Sequence, residues 1–216
     1  MIGMLNKDIV AKVQYNFRCE CISLLEWACL TLKSSKVVDA NWGEENISAN
    51  LCALISDSSR AVEAGVFVEN EHPLPTQQVL DNQARANSSN KIDFLFQCDW
   101  GARRVRFYVE AKNLIEYDVI KSSNQTHTRA TQLQRRYIRT GIDHFLSGHY
   151  PEGCLLGYVL NGSTARVVDG INGLLIKDGR EHECLVHVSG HDSWRHYKSE
   201  HSSVTAPLEH FYFQFG

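Results

Sequence analysis

The sequence predicts an α/β chain whose elements follow in the order α-β-β-β-α-β over residues 41–160. Three observations carry this prediction. Ile9, Val13, Phe17, Leu24, Leu25, Ala28 and Leu32 recur at helical spacing over residues 7–33. Residues 91–96 and 106–112 read as two adjacent strands separated by a polar turn, with side chains alternating between faces. Residues 154–160 form a near-continuous apolar run, as expected of a strand buried on both faces.

A long amphipathic helix over 7–33 opens the chain. A second helix is expected from about Asn41 through Ile47, Leu51, Leu54 and Ile55. Residues 64–69 read as a short strand closed by Pro73 and Pro75, and residues 76–90 as a polar connection. The next two strands are joined through Asp99-Trp100-Gly101, which supplies hairpin chemistry. A polar loop at 122–128 leads into a helix over 129–146, ended by Ser147-Gly148. After the 154–160 strand, Asn161-Gly162 makes a turn, Ser163 caps a helix reaching Ile176, and Asp178-Gly179 stops it. Two further strands are expected, at 183–189 and 208–215. No repeat or low-complexity linker divides the chain. The expectation is one domain over 1–216, with a core at about 41–160, an N-terminal helix at 7–33 and C-terminal additions at 163–216.

A chain of 216 residues can bury its own core without metals or disulfides. Charged residues at 22% and hydrophobic ones at 43% fit a soluble globular protein. A net charge of −3 argues against a polycation-style nucleic-acid binder, although a metal and a local arginine cluster can offset it. The apolar runs are too short to span a bilayer, and no basic-then-apolar leader precedes Asn6-Lys7-Asp8; a cytoplasmic chain is expected. The seven cysteines show no C-x-x-C and read as free thiols. His187, His191, His196 and His201 recur every four or five residues, a spacing that on a helix would suit zinc; Gly190 and Ser202-Ser203 argue against a continuous helix there.

The chemistry concentrates on the paired strands. Asp93 sits on the first, and Glu110 and Lys112 share one face of the second, opposite Val105, Phe107, Val109 and Ala111. If the polar faces coincide, two carboxylates and an ammonium converge, a cluster able to hold a hard divalent cation and activate a water. The plain alternative is an exposed ion-pair ladder. Against it, acidic residues are poor strand formers and their neighbours here are bulky and apolar. Of two acids on the preceding helix, Glu44 shares the stripe of Ile47 and Leu51, whereas Glu45 is offset toward Ser48 and Cys52. In the 129–146 helix, a projection at about 100° per residue puts Gln134 with Leu133, Tyr137, Ile138, Gly141 and Phe145. The opposite face carries Gln132, Arg129, Arg135, Arg136 and Arg139, either a nucleic-acid backbone contact or a solvated surface.

Asp93, Glu110-x-Lys112 and the surrounding α-β-β-β-α-β order resemble the PD-(D/E)XK nuclease superfamily, over somewhat more than half of the chain. Gln134 and Tyr137 resemble the Gln-Leu-x-x-Tyr element of its RecB-like branch, with spacing that departs by one residue; Ile92 stands where the family often has proline. The resemblance implies a restriction-endonuclease-like core with a mixed central sheet flanked by helices. It implies Mg²⁺, with Mn²⁺ as substitute, held by Asp93, Glu110, the carbonyl of Ala111 and Glu44. Lys112 would orient or deprotonate the attacking water and stabilise the pentavalent transition state, with Gln134 approaching from the packed side and Arg135, Arg136 and Arg139 holding nucleic acid. The function expected is phosphodiester hydrolysis, in DNA more than RNA, by a homodimer or a subunit of a phage-defence or repair system. The alternatives are a ribonuclease of the same fold and a non-catalytic nucleic-acid-binding or assembly module. Specificity would reside in loops such as 73–90 and 122–128.

Overall fold

The computed structural model describes residues 7–74, 81, 90–101, 103–121, 125–204 and 206–216; most of the 75–89 connection and residues 122–124 lie outside them. The chain opens with α1 (Lys7–Ser35), α2 (Glu44–Ser56) and a short α3 (Ser59–Glu63). Three strands follow, β1 (Phe67–Leu74), β2 (Asn90–Trp100) and β3 (Arg103–Leu114), then a minor pair, β4 (Val119–Ile120) and β5 (His127–Thr128). Helix α4 begins as Ala130–Arg136, widens into a π-helical segment at Tyr137–Ile142 and closes with a turn at Asp143–Leu146. Strand β6 (Gly153–Val159), α5 (Thr164–Lys177), β7 (Val186–His191), β8 (Trp194–Ser199) and β9 (Leu208–Gln214) complete the chain.

The seven long strands form one mixed sheet in the order β1-β2-β3-β6-β9-β8-β7. β3, β6 and β9 run parallel at its centre, and an antiparallel pair of strands lies on each side. One face packs on α1 and α2: Phe94, Phe96, Val109, Leu156 and Tyr158 meet Leu24, Ala28, Ile47 and Leu51. The other packs on α4 and α5, where Leu155, Val159 and Tyr212 meet Tyr137, Ile142, Val167 and Ile171. Every residue of β6 is buried, as its apolar run predicts. At Gly141 a Cβ would lie 2.8 Å from Leu155 Cδ2, so glycine lets α4 approach β6 closely.

Several boundaries differ from the sequence reading. Helix α2 starts at Glu44 because Asp39 accepts from the amide and side chain of Asn41, at 2.9 and 3.0 Å, and makes a turn first. The strand expected at 64–69 is β1, which carries Pro73 inside it; an edge strand tolerates the missing donor. Three C-terminal strands form where two were expected. Strand β8 reads Trp-Arg-His-Tyr-Lys-Ser, without aliphatic residues to announce it. Glu183 lies in a 3₁₀ turn rather than in the following strand. Within the 163–216 segment, β9 pairs with β6 in the middle of the sheet. Among the described residues, no helix is long and apolar enough to cross a membrane.

Candidate active site

The site is built where two strands part. β2 and β3 pair from Trp100↔Arg103 to Phe94↔Val109, where the ladder ends. The next position along each strand carries Asp93 and Glu110, so the register brings their polar faces together. Beyond this point Ala111 N donates to Asp93 Oδ2 at 2.7 Å, a side chain continuing where the ladder stops. Ile92 follows the divergence and packs into the α4–α5 cluster rather than with Phe94.

Glu110 and Lys112 are 4% and 3% exposed, so their charges must be satisfied inside the protein. The Lys112 ammonium donates to Glu110 Oε1, to the carbonyl of Ala111 at 2.9 Å and to Glu44 Oε1 at 3.5 Å. Glu44 is the first residue of α2 and points inward with Ile47 and Leu51, while Glu45 is exposed. Its Oε2 accepts from Asn113 N at 2.9 Å, and its Oε1 also accepts from Arg136 Nη2 at 3.1 Å. Tyr150 donates its hydroxyl to Glu110 Oε1 at 3.0 Å. Asn113 donates from Nδ2 to the carbonyl of Trp42 at 2.9 Å, tying β3 to the turn before α2.

Electrostatics follow from this crowding. Burial lifts the Asp93 carboxyl well above the usual range, and the Glu110 and Glu44 charges add to it; Lys112 and the Ala111 amide oppose. Burial also raises Glu110, against the pull of the Lys112 charge and of the hydrogen bonds from Lys112 and Tyr150. For Lys112 burial works downward, but Glu110, Glu44 and Asp93 outweigh it and hold the ammonium protonated. Three carboxylates thus face one ammonium and one guanidinium.

The residues fit a hard cation. Glu110 Oε2 is buried and has no hydrogen-bond partner, an acceptor without a donor. Glu110 Oε1, Glu44 Oε1 and the Ala111 carbonyl already gather around one positive charge, that of Lys112, and all are oxygen donors of the kind Mg²⁺ takes. Among the described residues no three His, Cys, Asp or Glu side chains form a ready ligand shell on their own. The set here counts a backbone carbonyl, and the ammonium occupies its middle.

The helix α4 residues separate. Gln134 is buried, but its amide packs over Gly170 of α5, where a Cβ would lie 2.5 Å from Nε2. Arg135 pairs with Asp178 and draws that carboxyl below its usual range. Arg136 reaches Glu44, although helical projection places it with the outer arginines; its long stem carries the guanidinium back over the edge of α4. Arg139 is exposed. Sequence reasoning missed Asn113, which directly follows Lys112, and Tyr150, which sits in a loop where no periodicity applies. Open grooves of about 380 and 450 Å³ beside α1 and at the end of β9 are not lined by Asp93, Glu110, Lys112 or Glu44; the ammonium fills the space between the carboxylates.

The C-terminal histidines diverge. His187 meets Tyr197 edge-on, His191 pairs with Glu26, His196 stacks on Phe211, and His201 bonds Glu183 and Ser199.

Comparison with protein-family models, curated proteins and solved structures returned no significant match to this chain.

Proposed function

We propose that the chain is a Mg²⁺-dependent nuclease with a restriction-endonuclease-like core, hydrolysing phosphodiester bonds in DNA more readily than in RNA. The observation that supports this best is the convergence of Asp93, Glu110, Glu44 and the Ala111 carbonyl around Lys112 where β2 and β3 diverge. The order α2-β1-β2-β3-α4-β6 and the antiparallel, antiparallel, parallel pairing of those strands agree with such a core.

In this reading Asp93, Glu110, Glu44 and the Ala111 carbonyl hold the cation. When bound, Mg²⁺ lowers the pKa of a coordinated water and neutralises charge on the scissile phosphate. Lys112 orients the nucleophilic water and offsets the charge of the pentavalent transition state. Asn113 and Arg136 hold Glu44 in place. Arg136, exposed on one side and bonded to the cluster on the other, offers its free guanidinium edge to a substrate phosphate. Gln134 serves the packing of α4 on α5. A homodimer, or a role within a defence or repair assembly, belongs to the same proposal by analogy alone.

A second reading has its own observation. A cluster whose ammonium already satisfies two buried carboxylates is also what a structural ion-pair network looks like. That favours a non-catalytic module on the same fold. A cleavage assay on plasmid, linear and single-stranded DNA and on RNA, with and without Mg²⁺, separates the two. Cleavage that requires Mg²⁺ and disappears in Asp93→Ala and Lys112→Ala supports the nuclease. Inactivity on all four substrates, with no stabilisation by Mg²⁺, supports the module.

A further inference from the structure

Tyr150 stands at the site with no part in the chemistry above, and its position is fixed from both sides. It follows the last turn of α4, where Gly148 adopts φ +73° and lets the chain reverse. It precedes Gly153, at which a Cβ would lie 2.2 Å from the Tyr108 carbonyl oxygen, so β6 enters the sheet at closest approach. Between these points Tyr150 N donates to the His144 carbonyl at 3.1 Å. Its ring meets those of His144 and Phe145 edge-on, with centroids 5.1 and 5.3 Å away. Only 7% of the residue is exposed.

The consequence falls on Glu110. Its Oε1 receives both Lys112 and the Tyr150 hydroxyl, whereas its Oε2 is buried with no partner. Two donors on one oxygen fix the plane of the carboxylate and leave the lone pairs of the other oxygen unused. An ammonium is driven off by an arriving cation through charge repulsion; a neutral phenol is not. We propose that Tyr150 is the positioning residue of the centre, holding Glu110 through Oε1 so that Oε2 is presented to a divalent cation. This rests on the reading of the cluster as a cation site.

The test titrates the full chain with Mn²⁺ alone, by calorimetry. Tyr150→Phe removes one hydroxyl and keeps the ring. It weakens Mn²⁺ binding about 3–10-fold near neutral pH, the loss expected when one hydrogen bond that orients a ligand is deleted. The control is Tyr137→Phe, which removes a buried hydroxyl bonded to His210 Nδ1 at 2.8 Å and lies in the α4–α5 core. It lowers thermal stability and leaves Mn²⁺ affinity unchanged, a pattern that a merely structural Tyr150 would share. A Tyr150→Phe chain with wild-type affinity overturns the assignment and leaves the cation site standing. A wild-type chain that binds no Mn²⁺ overturns both.

Discussion

Asp93 and Ala111 are joined by a hydrogen bond of 2.7 Å from backbone amide to carboxylate, just past the last paired residues of β2 and β3. The carbonyl of the same Ala111 accepts from Lys112 at 2.9 Å. Both sides of one residue are therefore committed to the cluster, the amide to an acid and the carbonyl to a cation. This arrangement makes the charge of Asp93 separable from its role as an acceptor.

Asp93→Asn keeps an oxygen for the Ala111 amide and removes the charge. In the wild type, burial and the Glu110 charge raise the Asp93 carboxyl, so the folded chain holds this proton better than the unfolded chain does. The stability from that proton is complete below the unfolded pKa of about 3.9 and is lost as pH rises through the folded value. Near pH 8 without metal, Asp93→Asn should therefore unfold at a temperature higher by about 2–6 °C, with the gain shrinking toward pH 4. Calorimetric melting in a chelator measures this. A lower melting temperature for Asp93→Asn near pH 8 would contradict the placement of a strained carboxylate at this position.

Asp93 and Glu110 both sit above their usual range, so a divalent ion that binds their ionised forms must displace protons. Mg²⁺ affinity should rise with pH, and heats of binding should depend on the ionisation enthalpy of the buffer. At a hundredfold excess over Kd, binding stabilises the fold by about 2.7 kcal/mol, equivalent to ~5–10 °C in Tm for a chain of this size. Asp93→Asn and Glu110→Gln should lose the response. Equal Mg²⁺ shifts in wild type and both variants would place the ion elsewhere.

Lys112 carries the opposite dependence. Lys112→Met leaves Glu110 and Glu44 without the ammonium they share, and breaking a buried pair from one side costs about 3–5 kcal/mol. Without metal the variant should melt well below wild type; with Mg²⁺ it should recover more than wild type gains, yet cleave nothing. Cleavage at the wild-type rate would remove Lys112 from the chemistry.

How much of this was legible in the sequence varies with the physics. The meeting of Asp93 and Glu110 follows from two-residue alternation once the strands pair, and the inward turn of Glu44 follows from its spacing to Ile47 and Leu51. Both are short-range regularities. Tyr150 is different: its place depends on a glycine turn after α4 and on how closely β6 approaches β3, neither of which leaves a period in the sequence. Angle alone puts Arg136 on the outer face and ignores the reach of its stem toward α2. Periodicity puts Gln134 among the buried residues, where it lies, but cannot say that its neighbour is Gly170. The central position of β9 required knowing that a strand more than forty residues after β6 returns beside it, a matter of topology that local pattern does not encode.

The arginines of α4 should act separately rather than as one face. Arg136→Ala should slow cleavage and lower the slope of log affinity against log salt by about one, the release of one counterion. Arg135→Ala breaks an exposed pair with Asp178 and should change stability by no more than about 1 kcal/mol. Measured salt slopes decide the matter. An unaltered slope in Arg136→Ala, alongside a reduced one in Arg139→Ala, would mean that the substrate meets the outer edge of α4 instead.

A buried chain of hydrogen bonds runs through the α4–α5 side of the sheet, remote from the carboxylates. Tyr137 bonds His210 Nδ1 at 2.8 Å, His210 Nε2 bonds Ser199 Oγ at 2.7 Å, Ser199 bonds His201 Nε2 at 2.6 Å, and His201 Nδ1 bonds Glu183 at 2.6 Å. Arg180 keeps Glu183 ionised through two further hydrogen bonds. With an ionised Glu183 and neutral imidazoles, each donor is assigned: His201 to Glu183, Ser199 to His201, His210 to Ser199 and Tyr137 to His210. The Glu-His-Ser segment has the connectivity of a hydrolase triad, but Ser199 is 1% exposed and its oxygen accepts from His210. Its consequence is for stability. Burial depresses His201, and lowers His210 to about 3. A depressed histidine contributes stability that is fully present above the unfolded pKa of about 6.5 and lost as pH falls toward the folded value. Protonating either ring would leave the Ser199 hydroxyl hydrogen or the Tyr137 hydroxyl without an acceptor. The raised Asp93 and Glu110 carboxyls act in the opposite sense over the same range and are common to both chains, so the reading is the difference in urea stability between wild type and His210→Asn, which should shrink from about pH 6.5 to 5 by up to ~1.4 kcal/mol per pH unit. His210→Asn should cost about 1–3 kcal/mol near neutrality and flatten the slope by one proton. A variant with the wild-type slope would show that His210 takes up its proton in the folded chain, and that the chain of bonds runs in another direction.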